Sequence, residues 1–469
     1  MLFPSITFLF YFLPVFALVY YAVPGIAAKN VILVAASLLF YAWGEPVYVL
    51  LLAGAIVFNY AAALLIGAAQ RDRRRIITAL AIAANLAVLG IFKYADFALG
   101  TVNAIAGDAF ALPGLALPLG ISFFTFHAIS YVVDVHRGAA PNRSLLQLAV
   151  YIAMFPQLIA GPIIRYHTIA RRLAARRMTL GRISAGLRIF VIGLAQKVLI
   201  ADEVARLAEA VFDKAVAPSL AEAWLGLSAY TLQIYFDFAG YSNMAIGLGL
   251  ALGFSFPRNF NLPYVARSVT EFWRRWHISL SQWLRDYLYI PLGGNRGTPA
   301  DTYRNLCVVF LACGLWHGAN WTFVIWGIHH GGFLVIERAA LGHVLARAPA
   351  WVARMYALAA IMSGWVWFRA RDAEHALSFF GSLAGMHGAS GLSIATHIAL
   401  HPATVAALVV GPLLATVDIK VWQALRRMTA RFAQPIYALG DSAAVTAMFA
   451  LSVLNVAAGS YSAFLYFRF

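Results

Sequence analysis

Long runs of apolar residues constrain this chain more than any other feature of its sequence. A helix needs about 20 consecutive, mostly apolar residues to cross a lipid bilayer. The apolar windows of about this length are 5–24, 31–53, 76–99, 112–134, 186–201, 221–236, 305–336, 353–368, 396–417 and 443–465. Because some windows are expected to split or to re-enter the membrane, the sequence predicts about nine to twelve spanning helices.

The small supply of charged side chains supports this prediction. Only 12% of the 469 residues are charged, whereas soluble domains carry roughly 25%. So few charges cannot cover a globule of this size, and much of its surface must face lipid. The first positive charge is Lys29, so residues 1–21 are expected to be a retained first span rather than a cleaved signal peptide. We predict an all-α polytopic integral membrane protein.

Basic residues give the chain a formal net charge of +16. In a membrane protein, clusters of Lys and Arg mark cytoplasmic loops. The clusters at 71–75 and 165–182 are therefore expected on the cytoplasmic side. No nucleic-acid-binding motif accompanies the charge, so the sequence predicts no nucleic-acid partner.

The segment 271–287 has the pattern of one amphipathic helix. Aromatic and apolar residues recur on one face at Trp273, Trp276, Leu280, Trp283 and Tyr287, and polar residues recur on another at Arg275, Ser279, Gln282 and Asp286. A helix of this kind suits a membrane interface, and a plain interfacial anchor is the alternative to a functional role. The helix is expected to end at Pro291, before a glycine-bearing turn that carries Arg296.

His317 lies within a strongly apolar stretch, between Gly314 and Gly318. An ionisable residue inside a membrane segment is costly and is by default a candidate for function. The glycines allow close approach of a backbone or a substrate, and Asn320 is expected to orient the imidazole. The alternative is a histidine that only packs helices together.

Other chemistries fit the sequence less well. His329 and His330 do not share a helix face with His317, and no zinc-protease pattern occurs, so no metal site is predicted. The stretch around Ser242 lacks the second glycine of a nucleophile elbow. Asp237 is an acid in an apolar segment, and we expect it to be paired or to line a polar cavity.

Three stretches, 235–249, 271–296 and 315–327, closely resemble the membrane-bound O-acyltransferase family, and most of all its bacterial branch for polysaccharide O-acetylation. The shorter segments 40–43, 92–95, 120–123, 159–162 and 464–469 are similar as well, and the resemblance is weakest at about 370–440. It implies one domain over 1–469, with amino-terminal helices at 1–110, a core at 112–336 and carboxy-terminal helices at 351–469, around a central tunnel.

The resemblance also implies site residues. His317, in Trp-His-Gly at 316–318, corresponds to the family's active-site histidine, and His277 is a second functional histidine. No bound cofactor is implied, and cytoplasmic acetyl-CoA is the expected acetyl donor. The guanidinium group of an arginine can donate two parallel hydrogen bonds to a phosphate of acetyl-CoA. The residues expected to contact the substrate or its oxyanion are Arg274, Arg275, Arg285, Arg296, Trp316, Asn320 and Asp237.

The family resemblance further implies a location and a partner. The chain is expected in the bacterial inner membrane, where it hands acetyl groups to a periplasmic acetyltransferase that modifies an exported, alginate-like polysaccharide. Two alternatives remain open from the sequence. One is a transporter or flippase, and the other is a family member that acylates teichoic acid, peptidoglycan, cellulose or a protein.

Overall fold

The computed structural model describes residues 1–107, 109–387, 391–417 and 434–459, with side chains from Leu439 onward in the last range. All regular secondary structure within those ranges is helical. The chain divides into two compact units. The first comprises Met1–Phe190 and Met244–Pro257, and the second comprises Val191–Asn243 and Arg258–Phe469. The single-domain assignment stays a prediction.

The first unit is built from helices of very different length. They are Thr7–Phe12 (a π-helical turn), Leu13–Ala22, Ile26–Ala42, Tyr48–Ala68, Arg71–Ala106, Ile121–His136, Leu145–Ala153, Phe155–Leu158 and Tyr166–Ala174. Two further helices, Leu180–Ala195 and Leu220–Ala251, have residues in both units.

Aromatic packing and a few buried polar pairs hold the first unit together. The rings of Phe8, Phe12 and Phe40 all pack against Phe155. Asn59 and Asn85 exchange two amide hydrogen bonds of 3.0 and 2.8 Å between neighbouring helices. Interhelical hydrogen bonds of this kind join helices where lipid supplies no hydrophobic driving force.

The second unit contains the segments that the sequence singled out. Its helices are Gln196–Ala201 (π), Asp202–Phe212, Pro263–Val265 (3₁₀), Val269–Trp273, Ile278–Leu284, Arg285–Tyr289 (π), Pro299–His317, Trp321–Ile336, Glu337–Leu341 (π), Gly342–Arg347, Ala350–Arg369, Ala373–Leu383, Ile394–Ala399, Pro402–Thr416 and Gln434–Ala457.

Within the described ranges, the helices that are long and apolar enough to cross a membrane are Tyr48–Ala68, Arg71–Ala106, Leu180–Phe212 and Leu439–Ala457. Shorter apolar helices occur at Thr7–Ala22, Ile26–Ala42 and Pro402–Thr416. The total of nine to twelve spans and the central tunnel stay predictions.

Four predicted windows are not single continuous helices, as the expectation that some would split allows. In window 112–134 the helix begins only at Ile121. Window 31–53 crosses a break between Ala42 and Tyr48, where Pro46 disfavours a helical residue before it. Window 305–336 divides at 318–320, and window 396–417 divides at 400–401. The end of window 443–465 and the aromatic segment 464–469 lie outside the described residues.

Candidate active site

His317 is the last residue of the helix Pro299–His317. This helix begins with a capping box in which Thr298 and Asp301 satisfy each other's backbone N–H groups. It ends where Gly318 becomes extended, with φ −163° and ψ 154°. After Ala319, the helix Trp321–Ile336 begins. The imidazole therefore lies at a turn between two packed helices.

Glycines allow these two helices to approach closely. A Cβ added to Gly314 would lie 2.3 Å from the carbonyl oxygen of Phe323, and one added to Gly327 would lie 2.5 Å from that of Phe310. A Cβ on Gly318 would meet the Phe323 ring at 2.1 Å. The predicted close approach at Gly314 and Gly318 is thus made by protein groups.

We expect Gly314→Ala to destabilise the folded protein by about 1–3 kcal/mol, because the methyl group meets backbone that cannot rotate away. Gly332→Ala is the matched control, since a Cβ there has no neighbour within 4 Å. In thermal unfolding measured in detergent, Gly314→Ala should lower the midpoint temperature and Gly332→Ala should not. Equal midpoints for the two variants would contradict the close helix contact.

Aromatic rings enclose His317, whose residue surface is only 3% exposed. Its ring centroid lies 4.9 Å from Trp316, 5.0 Å from Trp326 and 5.2 Å from Phe368, each in an edge-on arrangement. This packing restricts the imidazole to one orientation in a medium of low polarity. Such an environment strengthens any hydrogen bond or charge interaction that a substrate makes with the ring.

His277 lies in a different local structure from the one predicted. The prediction of one continuous helix over 271–287 is wrong. The segment instead forms the helices Val269–Trp273 and Ile278–Leu284 and the π-helical turn Arg285–Tyr289. His277 stands between the first two with φ 41° and ψ 53°, a left-handed conformation that costs a non-glycine residue free energy. Since the tryptophans Trp273, Trp276 and Trp283 are buried in protein, the segment is also not a plain interfacial anchor.

The two predicted histidines belong to one aromatic cluster. The Trp316 ring packs against both, with its centroid 5.7 Å from His277 and 4.9 Å from His317. Phe238 packs edge-on against His277 at 4.6 Å. His277 is completely buried, and its Nε2 has no hydrogen-bond partner among the described residues.

Asn320 caps a helix. Its Oδ1 accepts a hydrogen bond from Thr322 N at 3.0 Å, and its Nδ2 donates to Arg371 O at 3.0 Å. Both ends of the amide are thus engaged with backbone. The expectation that Asn320 orients His317 or binds the oxyanion has no support from these contacts.

The predicted arginines fall into two groups. Arg275 donates to Glu271 at 2.9 and 2.7 Å, and Arg285 donates to Asp286 at 2.7 Å. Burial opposes the charge of Glu271, but hydrogen bonds from the Arg267 N–H and the Arg275 guanidinium prevail and lower the pKa of this carboxyl. Arg285 is exposed too, but Asp286 already balances its charge, so the exposed Arg274 and Arg296 are the better placed of the predicted set to receive an anion.

Asp237 is paired, as predicted. Lys197 Nζ lies 2.7 Å from Asp237 Oδ1 and 2.5 Å from Asp202 Oδ1, and all three side chains are at most 3% exposed. Lys197 was not among the residues predicted from the sequence. The feature that could have identified it is the position of a lysine inside the apolar window 186–201.

Two other buried polar residues were missed. His330 is fully buried, with its ring 4.8 Å from Trp326, and neither of its nitrogens has a hydrogen-bond partner in the described part of the chain. Asn259 is 1% exposed and contacts His277. No group of three or more His, Cys, Asp or Glu side chains suited to a metal ion occurs among the described residues.

Comparison with known proteins decides the family. The model of the membrane-bound O-acyltransferase family matches residues 119–371, which is more than half of the chain. The chain belongs to the membrane-bound O-acyltransferase family. The match contains Asp237, His277 and His317. Together with its apolar helices, family membership confirms the prediction of an all-α polytopic membrane protein and of an acyltransferase, and it replaces the transporter interpretation.

Several bacterial proteins align with most or all of the chain. A probable alginate O-acetylase of Azotobacter vinelandii is 42% identical, and one of Pseudomonas aeruginosa is 40% identical, each over 100% of both chains. A peptidoglycan O-acetyltransferase of Helicobacter pylori is 40% identical over 83% of this chain and 81% of its own. This membrane-bound O-acyltransferase is therefore similar to enzymes named for two different polymers.

Proposed function

We propose that this protein is an O-acetyltransferase of the bacterial inner membrane that supplies acetyl groups for an exported, alginate-like polysaccharide. Full-length identity of 40–42% to probable alginate O-acetylases is the observation that carries the proposal. The burial of His317 and His277 in one aromatic cluster supports it, because acyl transfer to a hydroxyl needs a positioned base.

The proposed reaction moves an acetyl group from a thioester to a hydroxyl. Neutral His317 takes the proton of the acceptor hydroxyl while its oxygen forms a bond to the acetyl carbonyl carbon. The tetrahedral intermediate then breaks its carbon–sulfur bond, and the departing sulfur receives the proton from the imidazolium. An acetate ester and a free thiol result, and the histidine returns to its neutral form.

Acetyl-CoA is the proposed donor. It is the thioester that carries acetyl groups in the cytoplasm, and its phosphates match the exposed guanidinium groups of Arg274 and Arg296. The polymers named by the relatives lie outside the cytoplasmic membrane. Acetyl groups must therefore cross it, and we propose that a periplasmic acetyltransferase receives them and modifies the polymer.

A labelled donor tests the proposal. The chain is produced in an alginate-making host that lacks its own membrane O-acetyltransferase, and membrane vesicles are given acetyl-CoA labelled in the acetyl group. We expect release of free thiol and label in alginate as base-labile ester. A chain that inserts normally but releases no thiol above the empty-vector vesicles would contradict the proposed reaction.

Peptidoglycan is the second candidate acceptor, because the Helicobacter pylori relative bears that name. The same vesicles and host separate the two acceptors. The masses of peptidoglycan fragments released by muramidase are measured by mass spectrometry. Each acetyl group that replaces a hydroxyl hydrogen raises the fragment mass by the same increment. If the acetyl ester label appears in peptidoglycan and not in alginate, then peptidoglycan is the acceptor and the alginate-like acceptor of the first proposal is wrong.

A further inference from the structure

Asn259 is a buried residue whose side chain faces His277. Its Oδ1 lies 3.2 Å from Ser279 N, 2.8 Å from Ser279 Oγ and 3.1 Å from His277 Nδ1. A backbone N–H can only donate a hydrogen bond, so the amide atom that faces Ser279 N must be the oxygen. The orientation of the Asn259 amide follows from this contact.

The oxygen of Asn259 dictates the proton position on His277. A carbonyl oxygen only accepts, so His277 Nδ1 must carry the hydrogen that joins the two side chains. In a neutral imidazole the other nitrogen, Nε2, then holds a lone pair. This Nε2 is buried and has no hydrogen-bond partner among the described residues.

The other contacts of Asn259 fix its position. Its Nδ2 donates to Ser242 Oγ at 3.0 Å, and its backbone carbonyl accepts from Ile278 N at 2.9 Å. The second bond joins the segment at Asn259 to Ile278, the residue that follows the left-handed His277. The backbone strain at His277 is thus held by the same residue that sets its tautomer.

We propose that Asn259 is a positioning residue, which holds His277 in the Nδ1–H tautomer so that Nε2 offers a lone pair to a hydrogen-bond donor of the bound reactants, while the acceptor hydroxyl gives its proton to His317. This inference rests on the proposed acetyl transfer. Asn259 itself touches neither donor nor acceptor and acts through the imidazole alone. An imidazole in the other tautomer would present an N–H at this position and could not accept a hydrogen bond there.

Two substitutions of similar size separate positioning from packing. Asn259→Leu removes the acceptor, and we expect kcat to fall about 10- to 100-fold with little change in KM, comparable to the cost of one unmade hydrogen bond in a buried site. Asn259→Asp keeps an acceptor for Nδ1–H. We expect it to retain kcat within a few-fold and to shift the acid limb of the pH–rate profile to higher pH, because a carboxylate stabilises the imidazolium.

Asn59→Leu is the control, since it removes an equally buried asparagine whose amide partner is Asn85. It is expected to change protein stability but not the pH–rate profile of the folded protein. The second control adds Asn259→Leu to His277→Gln, where no further loss of kcat is expected if Asn259 acts through the imidazole.

Either of two results would overturn the inference. One is unchanged kcat in Asn259→Leu. The other is a loss of equal size with and without His277, which would make Asn259 a packing residue. Both results are distinct from failure of the proposed function, in which the unaltered chain releases no thiol from acetyl-CoA.

Discussion

Replacement of His317 by Gln should lower kcat for acetyl transfer by about 10²- to 10⁴-fold, the range that a positioned general base contributes. The amide of Gln is not basic enough to take a hydroxyl proton, although it fills a similar volume. Because aromatic rings surround His317 on several sides, no water can easily replace the lost base. The initial rate of thiol release from acetyl-CoA, per mole of membrane-inserted protein, measures the effect.

Two other histidines supply the controls for this result. His343 is exposed, so His343→Gln should leave the rate unchanged. His330 shares the neighbour Trp326 with His317, so His330→Gln disturbs the same aromatic cluster without touching the proposed base. A rate for His317→Gln within threefold of the unaltered chain would remove this imidazole from the chemistry.

The location of His317 could be predicted because the signal is local. An ionisable side chain in a long apolar run is unusual enough to be noticed without any knowledge of the fold. The glycines beside it were also visible, and their close helix contact follows from their lack of a side chain. What the sequence could not show was which rings would surround the imidazole, since Trp326 and Phe368 come from other helices.

The break at His277 could not be predicted from periodicity. The apolar positions Trp273, Trp276 and Leu280 continue at helical spacing through it, and their side chains are indeed buried. On either side of the left-handed His277, the backbone N–H of Ile278 donates to Asn259 O and the N–H of Asn261 donates to Arg275 O, so an earlier segment of the chain holds this conformation. A contact between separate segments overrides the local pattern, and such contacts leave no periodic signal.

Buried polar residues were the hardest to assign. Asp237 was expected to have a partner, but the sequence could not say which residue it would be. Lys197 lies forty residues earlier, on a segment that was counted as a plain apolar window. A buried cation in an apolar window is as costly as a buried anion. Lys197 and Asp237 could therefore have been predicted to pair with each other.

Replacement of Lys197 by Met should destabilise the folded protein by about 3–5 kcal/mol, the usual cost of removing one partner from a buried ion pair. Lys197 lies between the carboxylates of Asp202 and Asp237, and all three are almost fully buried. Without the lysine, two acids remain close together in a region of low polarity. We expect most of the Lys197→Met protein to be lost from the detergent-soluble, monodisperse fraction.

Neutralising the two carboxylates should reverse much of this loss. If the damage comes from uncompensated carboxylates, the triple variant Lys197→Met, Asp202→Asn and Asp237→Asn should recover much of the lost protein, because a buried ion pair can often be replaced by neutral groups at little net cost. Arg304→Gln is the control for an exposed pair: Arg304 lies 3.3 Å from Asp301, with side chains 61% and 41% exposed, and should change stability by less than about 1 kcal/mol.

The same variants separate a structural cluster from a catalytic one. Asp237 is followed directly by Phe238, whose ring contacts His277, so loss of the ion pair can disturb the site by moving this helix. The triple variant should therefore regain activity in proportion to the folded protein it regains. Full recovery of folded protein with no thiol release would mean that the charges themselves take part in acetyl transfer, and Asp237 would then be a site residue, as the sequence predicted.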